Sequence, residues 1–401
     1  NSILSPIFNG SAVFVQDYSC SNMSQNIVKV LSRGTHVLKF EFGGDAEYAF
    51  NLAGQCGGPI GCDCGDIING SRTMSVGPDP IFNVACVAGG LIINASNIVV
   101  DCSGNAINGS STDIGINFSR GYDNSTVRNC QISDFDAGIG LGYNTSFNTI
   151  FNNNISYNAQ VGINISHEAN GTNLTNNIVF RNGLTTDGVG IYSSGYNTTS
   201  ERDTVYNNTL HAVHFYNMSA SRIASIFANE SGIGYGILFE FVNRTNLTDI
   251  AARGNNRSGI RLANSSSFNR IELGSYEYNG LVGGLRNDFG SVDIDDNSTD
   301  NLIHNNTIQH NVRGLFVGRV QTSNNNSFLG NTFSNNSYAN VIFNNSLNNT
   351  VRQQTFPNTT IFSNSTAGDI NFTDSINFTF SVRLIDVINI TNNRTYVNST
   401  N

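Results

Sequence analysis

The sequence predicts an all-β fold: a single-stranded parallel β-helix of about ten coils, with a disulfide-tied, strand-rich N-terminal cap and a C-terminal strand segment. Three observations predict it. Single aliphatic residues alternate with asparagines, as in NTIFNNNISYNAQVGINIS from Asn148 to Ser166, which is not the pattern of an amphipathic helix. The phrase returns along the chain, with anchors at Val127, Ile150, Leu174, Val205, Ile223, Leu247, Ile271, Leu302, Phe328 and Val351, mostly about 24 residues apart. Each repeat then reaches a Gly-aliphatic strand, such as VGINI or SGIRL.

Composition narrows the function classes. The chain has 401 residues, a net charge of −9 and 39% hydrophobic residues, enough for a large core. Only 12% of residues are charged, and lysine occurs only at Lys29 and Lys39. No basic stripe exists for nucleic acid to follow, so nucleic-acid binding is not expected. No run approaches the roughly 18 apolar residues of a membrane span. The chain opens at Asn1 without Met or a signal peptide, which reads as a processed mature form or the ordered part of something longer.

Residues 1–90 form the expected cap. SAVFVQDYSC and HVLKFEFG read as strands, followed by the cysteine-rich CGGPIGCDC. The seven cysteines are Cys20, Cys56, Cys62, Cys64, Cys86, Cys102 and Cys130; the odd number allows three bridges at most. Cys62 and Cys64 are one residue apart, and no His follows nearby, so a disulfide-tied loop fits better than zinc. VVDC and VRNC align one coil apart. Stacked rungs would bring Cys102 and Cys130 to about 4.8 Å, inside the disulfide window.

Residues 91–365 form the expected helix. Val, Ile, Leu and Phe point inward, and their neighbours point outward. Corners need partners for amides that leave the ladder; Asn supplies donor and acceptor and tolerates left-handed backbone. Asn152-Asn153, Asn176-Asn177, Asn207-Asn208 and Asn305-Asn306 read as matching corner pairs stacked in hydrogen-bonded ladders. Gly162, Gly190, Gly236, Gly259, Gly283 and Gly314 mark a second corner, where glycine turns cheaply. Residues 366–401 form the tail. Ile376, Phe378, Phe380, Val382 and Leu384 alternate there as a strand that either closes the end or is donated to another subunit.

About 33 Asn-x-Ser/Thr triplets occur, which places the chain outside the cell as a glycoprotein. Candidate acceptors are Asn9, Asn22, Asn94, Asn124, Asn144, Asn170, Asn197, Asn217, Asn229, Asn243, Asn264, Asn297, Asn358, Asn371 and Asn377. An Asn buried in a ladder cannot carry a glycan, so used sites must point outward.

Candidate chemistry is sparse. Asp293, Asp295, Asp296 and Asp300 form the one dense acidic cluster and a weak calcium candidate, without the loop glycine and distal Glu of an EF-hand. His211 and His214 are three apart and should face opposite sides of a strand, which argues against a shared metal. Arg253, Arg257 and Arg261 have no acidic partners aligned in neighbouring coils. Exposed Tyr and Phe are candidates for stacking on sugars.

The stretch NIVVDCSGNAINGSSTDIGINFSRGYDNSTVRNCQISDFDAGIGL, above all Ile98 to Gly109, resembles the NosD-like class of right-handed parallel β-helices in the pectin-lyase-like superfamily. The resemblance covers roughly residues 91–360 and implies a right-handed helix with carbohydrate-binding or sugar-hydrolysing relatives. Those hydrolases typically carry Gly-His-Gly and Arg-x-Lys motifs, which this chain lacks. Sequons, β-helix and cysteine cap together resemble archaeal surface-layer or appendage proteins.

The resulting expectation is an extracellular, heavily N-glycosylated structural protein of a surface layer or filament, with an adhesive role in view, rather than an enzyme. The alternative is a polysaccharide-binding or polysaccharide-degrading β-helix. Expected partners are copies of the chain itself and surface glycans. No cofactor is expected beyond covalent N-glycans and the calcium candidate.

Overall fold

The computed structural model describes residues 34–41, 45–52 and 54–352, except 120, 185–187, 281–288, 319–320, 345 and 347, together with the strands Ile361–Asn364, Ile370–Thr373 and Asn389–Thr391. The chain winds through three parallel sheets, two of 14 strands and one of 10 among the described residues. One coil shows the plan. Val161–Ile165 lies on the first face, Asn173–Thr175 on the second and Ile178–Phe180 on the third. Each strand pairs in parallel with its counterparts one coil away: Ile150 stands against Leu174, Ile155 against Val179 and Ile163 against Ile191.

These strands form because alternate residues have somewhere apolar to go. On the second and third faces the middle residue of each three-residue strand is buried, and in most of them both neighbours reach solvent, as in Thr149–Phe151. Ile150, Leu174, Ile223, Leu247 and Ile271 thus stack into one column with no solvent exposure. Two of the sequence anchors fall elsewhere. Val205 belongs to the third face, against Val179 and Ala228. Its expected place on the second face is held by Ser200, which tolerates the core because its hydroxyl donates to Asp203 at 2.6 Å. Leu302 faces outward, and Ile303 takes the core position.

Asparagine ladders run along all three corners. Between the first and second faces, the backbone N–H of Asn269 donates to Asn301 Oδ1, that of Asn301 to Asn326 Oδ1 and that of Asn326 to Asn349 Oδ1, each at 3.0 Å. Between the second and third faces, Asn153 donates to Asn177 Oδ1 at 3.1 Å, and Asn177 to Asp203 Oδ1 at 2.7 Å. Between the third and first faces, Asn158 donates to Asn182 Oδ1 and Asn182 to Asn208 Oδ1. Each buried side chain thus satisfies a backbone amide that has left the sheet. Asn207-Asn208 therefore does not match Asn152-Asn153: it belongs to a different corner, and Asp203 occupies the expected place. In all four pairs the first Asn is the left-handed residue, exposed except for the half-buried Asn176, with φ of 54°, 56°, 53° and 52° at Asn152, Asn176, Asn207 and Asn305.

The glycine column has a different cause from the one expected. None of Gly162, Gly190, Gly236, Gly259 and Gly314 has positive φ. They are small because coils approach closely there. A Cβ on Gly162 would lie 2.4 Å from Val179 Cγ1 and 2.6 Å from the carbonyl oxygen of Gly190. Gly283 lies outside the described residues.

The ladder begins before residue 91. Gln55–Cys56 pairs onto Asp66–Ile68, which pairs onto Leu91–Ile93, and Arg72–Thr73 pairs onto Val99–Asp101. Disulfides join Cys56 to Cys62, Cys64 to Cys86 and Cys102 to Cys130, with Cα separations of 5.0, 5.3 and 4.8 Å. The shortness of the first rungs hides them in the sequence, and the cystines hold what so few apolar residues cannot. Gly34–Glu41 and Asp45–Leu52 form an antiparallel hairpin. Past residue 365, Ile370–Thr373 and Asn389–Thr391 continue the second face in parallel. Cys20 and the alternating segment from Ile376 to Leu384 lie outside the described residues.

Candidate functional site on the first face

The outer surface of the first face carries a cluster of ionisable and aromatic groups. Tyr192, His214, Leu238, Arg261 and Asp293 form one outward column, each in register with the next coil. The Gly190–Ala212 position drops out of the residue-by-residue pairing, so alternation restarts after it. His211 and His214 consequently lie on the same side, with ring centroids 5.5 Å apart. This corrects the expectation of opposite faces. A kink at a small residue adds one position to the two-residue period, and the sequence does not announce it.

His211 is buried, and its Nδ1 accepts the backbone N–H of Tyr235 at 3.1 Å, which places any proton of the neutral ring on Nε2. The ring stacks on Tyr235 at 5.3 Å. Burial, reinforced by His214, Arg257 and Arg261, pushes its pKa down to about 3. His211 is therefore a neutral structural base.

His214 is half-buried at the opening, with Nε2 2.9 Å from Glu240 Oε2. That contact, more than any other, holds Glu240 below its ordinary range. Glu240 also accepts from Asn264 Nδ2 at 2.9 Å. Tyr192 meets His214 edge-on at 5.2 Å, and Tyr216 packs edge-on against Phe241 at 5.7 Å. Burial, then Tyr216, raises the Tyr192 phenol. Tyr216 and Phe241 are exposed. The result is an aromatic shelf around an oriented imidazole–carboxylate pair.

Arg261 closes the other side. Its guanidinium donates to the Tyr235 hydroxyl and pairs with Asp296 at 2.7 Å and Asp295 at 3.5 Å. Burial alone would lower its pKa, but Tyr235, Asp293 and Asp295 more than offset that and raise it. Arg257 lies over the rings of Tyr235 and Phe289 at 5.4 and 5.3 Å. Arg261 thus does have acidic partners across coils, contrary to expectation, because Asp295 and Asp296 arrive from the next rung, whereas Arg253 lies over the Tyr278 ring at 4.9 Å.

Of the four aspartates of the calcium candidate, Asp295 and Asp296 meet at the Arg261 guanidinium, and Asp293 and Asp300 have other hydrogen-bond partners. Asp293 is buried and accepts from Ser258 Oγ at 2.6 Å and from the Gly290 amide at 2.7 Å. Asp295 and Asp296 engage Arg261, while Asp300 accepts from Thr299 at 2.8 Å. Among the described residues, no group of three His, Cys, Asp or Glu side chains is placed to hold a metal ion. Of the candidate glycan acceptors, Asn124, Asn144, Asn197, Asn217 and Asn297 are exposed, and Asn94, Asn170, Asn229, Asn243 and Asn264 partly so. Asn371 lies on the strand Ile370–Thr373, and Asn9, Asn22, Asn358 and Asn377 are outside the described residues. Sequence reasoning missed Tyr192, Tyr216, Tyr235 and Glu240. Their signal was present only as spacing of about one coil between Tyr192, His214 and Glu240.

Comparison with known proteins bears on the fold. Residues 81–225 match the family described as right handed beta helix region. The fold is a right-handed parallel β-helix. Among solved structures, the A-module of a mannuronan C-5 epimerase from Azotobacter vinelandii is 16% identical, with TM-score 0.41, covering 84% of this chain and 91% of that one. The Dettilon tailspike protein is 17% identical, with TM-score 0.47, covering 73% of this chain and 61% of that one. A periplasmic alginate epimerase is 12% identical, with TM-score 0.48, covering 78% and 77%. These likenesses concern the fold alone. No curated protein matches the chain. Among the described residues, no helix is long and apolar enough to cross a membrane.

Proposed function

We propose that the chain is a secreted β-helix that binds polysaccharide along the outer surface of its first face, at Tyr192, His214, Tyr216, Glu240 and Phe241. The observation that carries this reading is the aromatic shelf around the His214–Glu240 pair. Sugars present C–H faces to aromatic rings and hydroxyls to charged acceptors, and the shelf offers both. The three disulfides suit an oxidising, extracellular compartment. Similarly folded proteins named as tailspikes and epimerases make a saccharide ligand a natural one to try first.

The test is direct binding of neutral and acidic polysaccharides to the full chain, with Tyr216→Ala and Glu240→Gln as variants. Tyr216 is exposed, so its truncation should leave the fold intact. The expected result is binding to at least one polysaccharide that weakens tenfold or more in Glu240→Gln. Equal binding by all three proteins, or no binding, contradicts the reading.

A second reading, a subunit of a surface layer or filament, draws on the three corner ladders, which make the stack a stiff rod of repeated nearest-neighbour contacts. Electron microscopy of the purified chain tests it: ordered polymers support assembly, and dispersed monomers argue against it.

A further inference from the structure

Every turn from the first face to the second carries an Asn-x-Ser/Thr triplet, from the turn at 69–71 to the turn at 345–348. Twelve consecutive turns each hold one. In six it falls in the first half of the turn, at Asn69, Asn94, Asn144, Asn217, Asn264 and Asn297. In the other six it falls near the end, at Asn124, Asn170, Asn197, Asn243, Asn325 and Asn348. None of the twelve is buried.

Asparagine abundance does not account for this. The longer turns from the third face to the first also carry asparagines, among them Asn158, Asn182, Asn255, Asn279 and Asn311, yet triplets begin there only at Asn207, Asn256 and Asn335. Stacking accounts for part of the pattern: the triplet hydroxyls of Ser71, Ser96 and Ser266 accept the Val99, Asp123 and Val242 amides of the neighbouring coil. In other turns the buried residue that satisfies the backbone lies outside the triplet, such as Asn148 and Asn301, and it would do the same work without the triplet.

We propose that this edge is an N-glycosylated ridge running the length of the stack. In the attachment, Nδ2 of the acceptor Asn bonds to the anomeric carbon of a lipid-phosphate-linked saccharide. The anomeric C–O bond breaks, the lipid phosphate leaves with the electron pair, and Nδ2 gives up one proton and keeps the other. The kept N–H still serves the edge: Asn124 Nδ2 donates to Asn97 at 2.7 Å, Asn197 to Asn170 at 2.8 Å and Asn264 to Glu240 at 2.9 Å. Rungs are spaced about 4.8 Å apart, and in seven of the eleven neighbouring pairs the acceptors sit at opposite ends of the turn, which separates those saccharides. Occupancy below one glycan per coil follows from that crowding. The ridge stands whether or not the first face binds polysaccharide.

The test is site-by-site glycopeptide mapping of the full chain isolated from its own cells. Asn154, Asn164 and Asn173 begin triplets on the sheet faces and serve as internal references. Mean occupancy on the ridge should exceed that of the references at least threefold. Equal or lower occupancy on the ridge, or a chain of unmodified mass, overturns the proposal.

Discussion

Asp203 ends an asparagine ladder, and replacing it by Asn should make the protein less sensitive to rising pH. The carboxylate accepts from the Asn177 amide at 2.7 Å and from Ser200 at 2.6 Å. It is fully buried, and in the next coil the second-to-third-face corner passes through buried Ile226. Burial, the largest influence, outweighs those hydrogen bonds and raises its pKa from 3.8 to about 6. The folded protein therefore holds a proton that the unfolded chain releases between those two values. Stability contributed by this site is complete below pH 4 and is lost as pH rises to about 6. A shift of about two units at roughly 1.4 kcal/mol each gives about 3 kcal/mol. Asp203→Asn keeps the acceptor for Asn177 and presents an NH2 to Ser200, so it should be more stable than wild type at pH 7. The assay is the denaturation midpoint of both proteins at intervals from pH 4 to pH 7. The difference between them should open across that range in favour of the variant. A constant difference, or one that narrows, refutes the reasoning.

Other predictions follow the same physics. His211 is neutral in the fold with a pKa near 3 against 6.5 unperturbed, so its contribution is intact above pH 6.5 and is lost as pH falls toward 3. His211→Gln should flatten the acid limb of a thermal-melting profile by up to about 5 kcal/mol. Phe328→Ala removes a large, 1% exposed side chain and should lower stability by about 3–5 kcal/mol in urea titration. Paired Cys102→Ser and Cys130→Ser opens a disulfide of sequence separation 28 and should cost about 3–4 kcal/mol, read as a lower melting temperature under oxidising conditions. Gly162→Val forces a side chain into backbone only 2.6 Å away and should destabilise more than Gly58→Ala, where open space surrounds the residue, by limited proteolysis.

The fold was legible because its repeat writes itself into the sequence: Ile150, Leu174 and Leu247 recur at coil spacing, and the corner residues Asn153 and Asn177 follow them. The exceptions share a cause. Ser200 and Asp203 are polar residues paired inside, and no apolar period reports such a pair. The glycine column is visible in the sequence and reads as a turning signal, whereas close approach between coils is what excludes a Cβ. The first-face site was almost illegible. Its members are contributed by strands from Val189–Ser193 to Val292–Ile294, and the kink that brings His211 beside His214 has no signature of its own.

The most direct test of the account is hydrogen–deuterium exchange on the full chain with and without a polysaccharide it binds. The account predicts added protection in Val189–Ser193, His211–Tyr216 and Ile237–Glu240, with the second and third faces unchanged. Protection confined to the second or third face would contradict it.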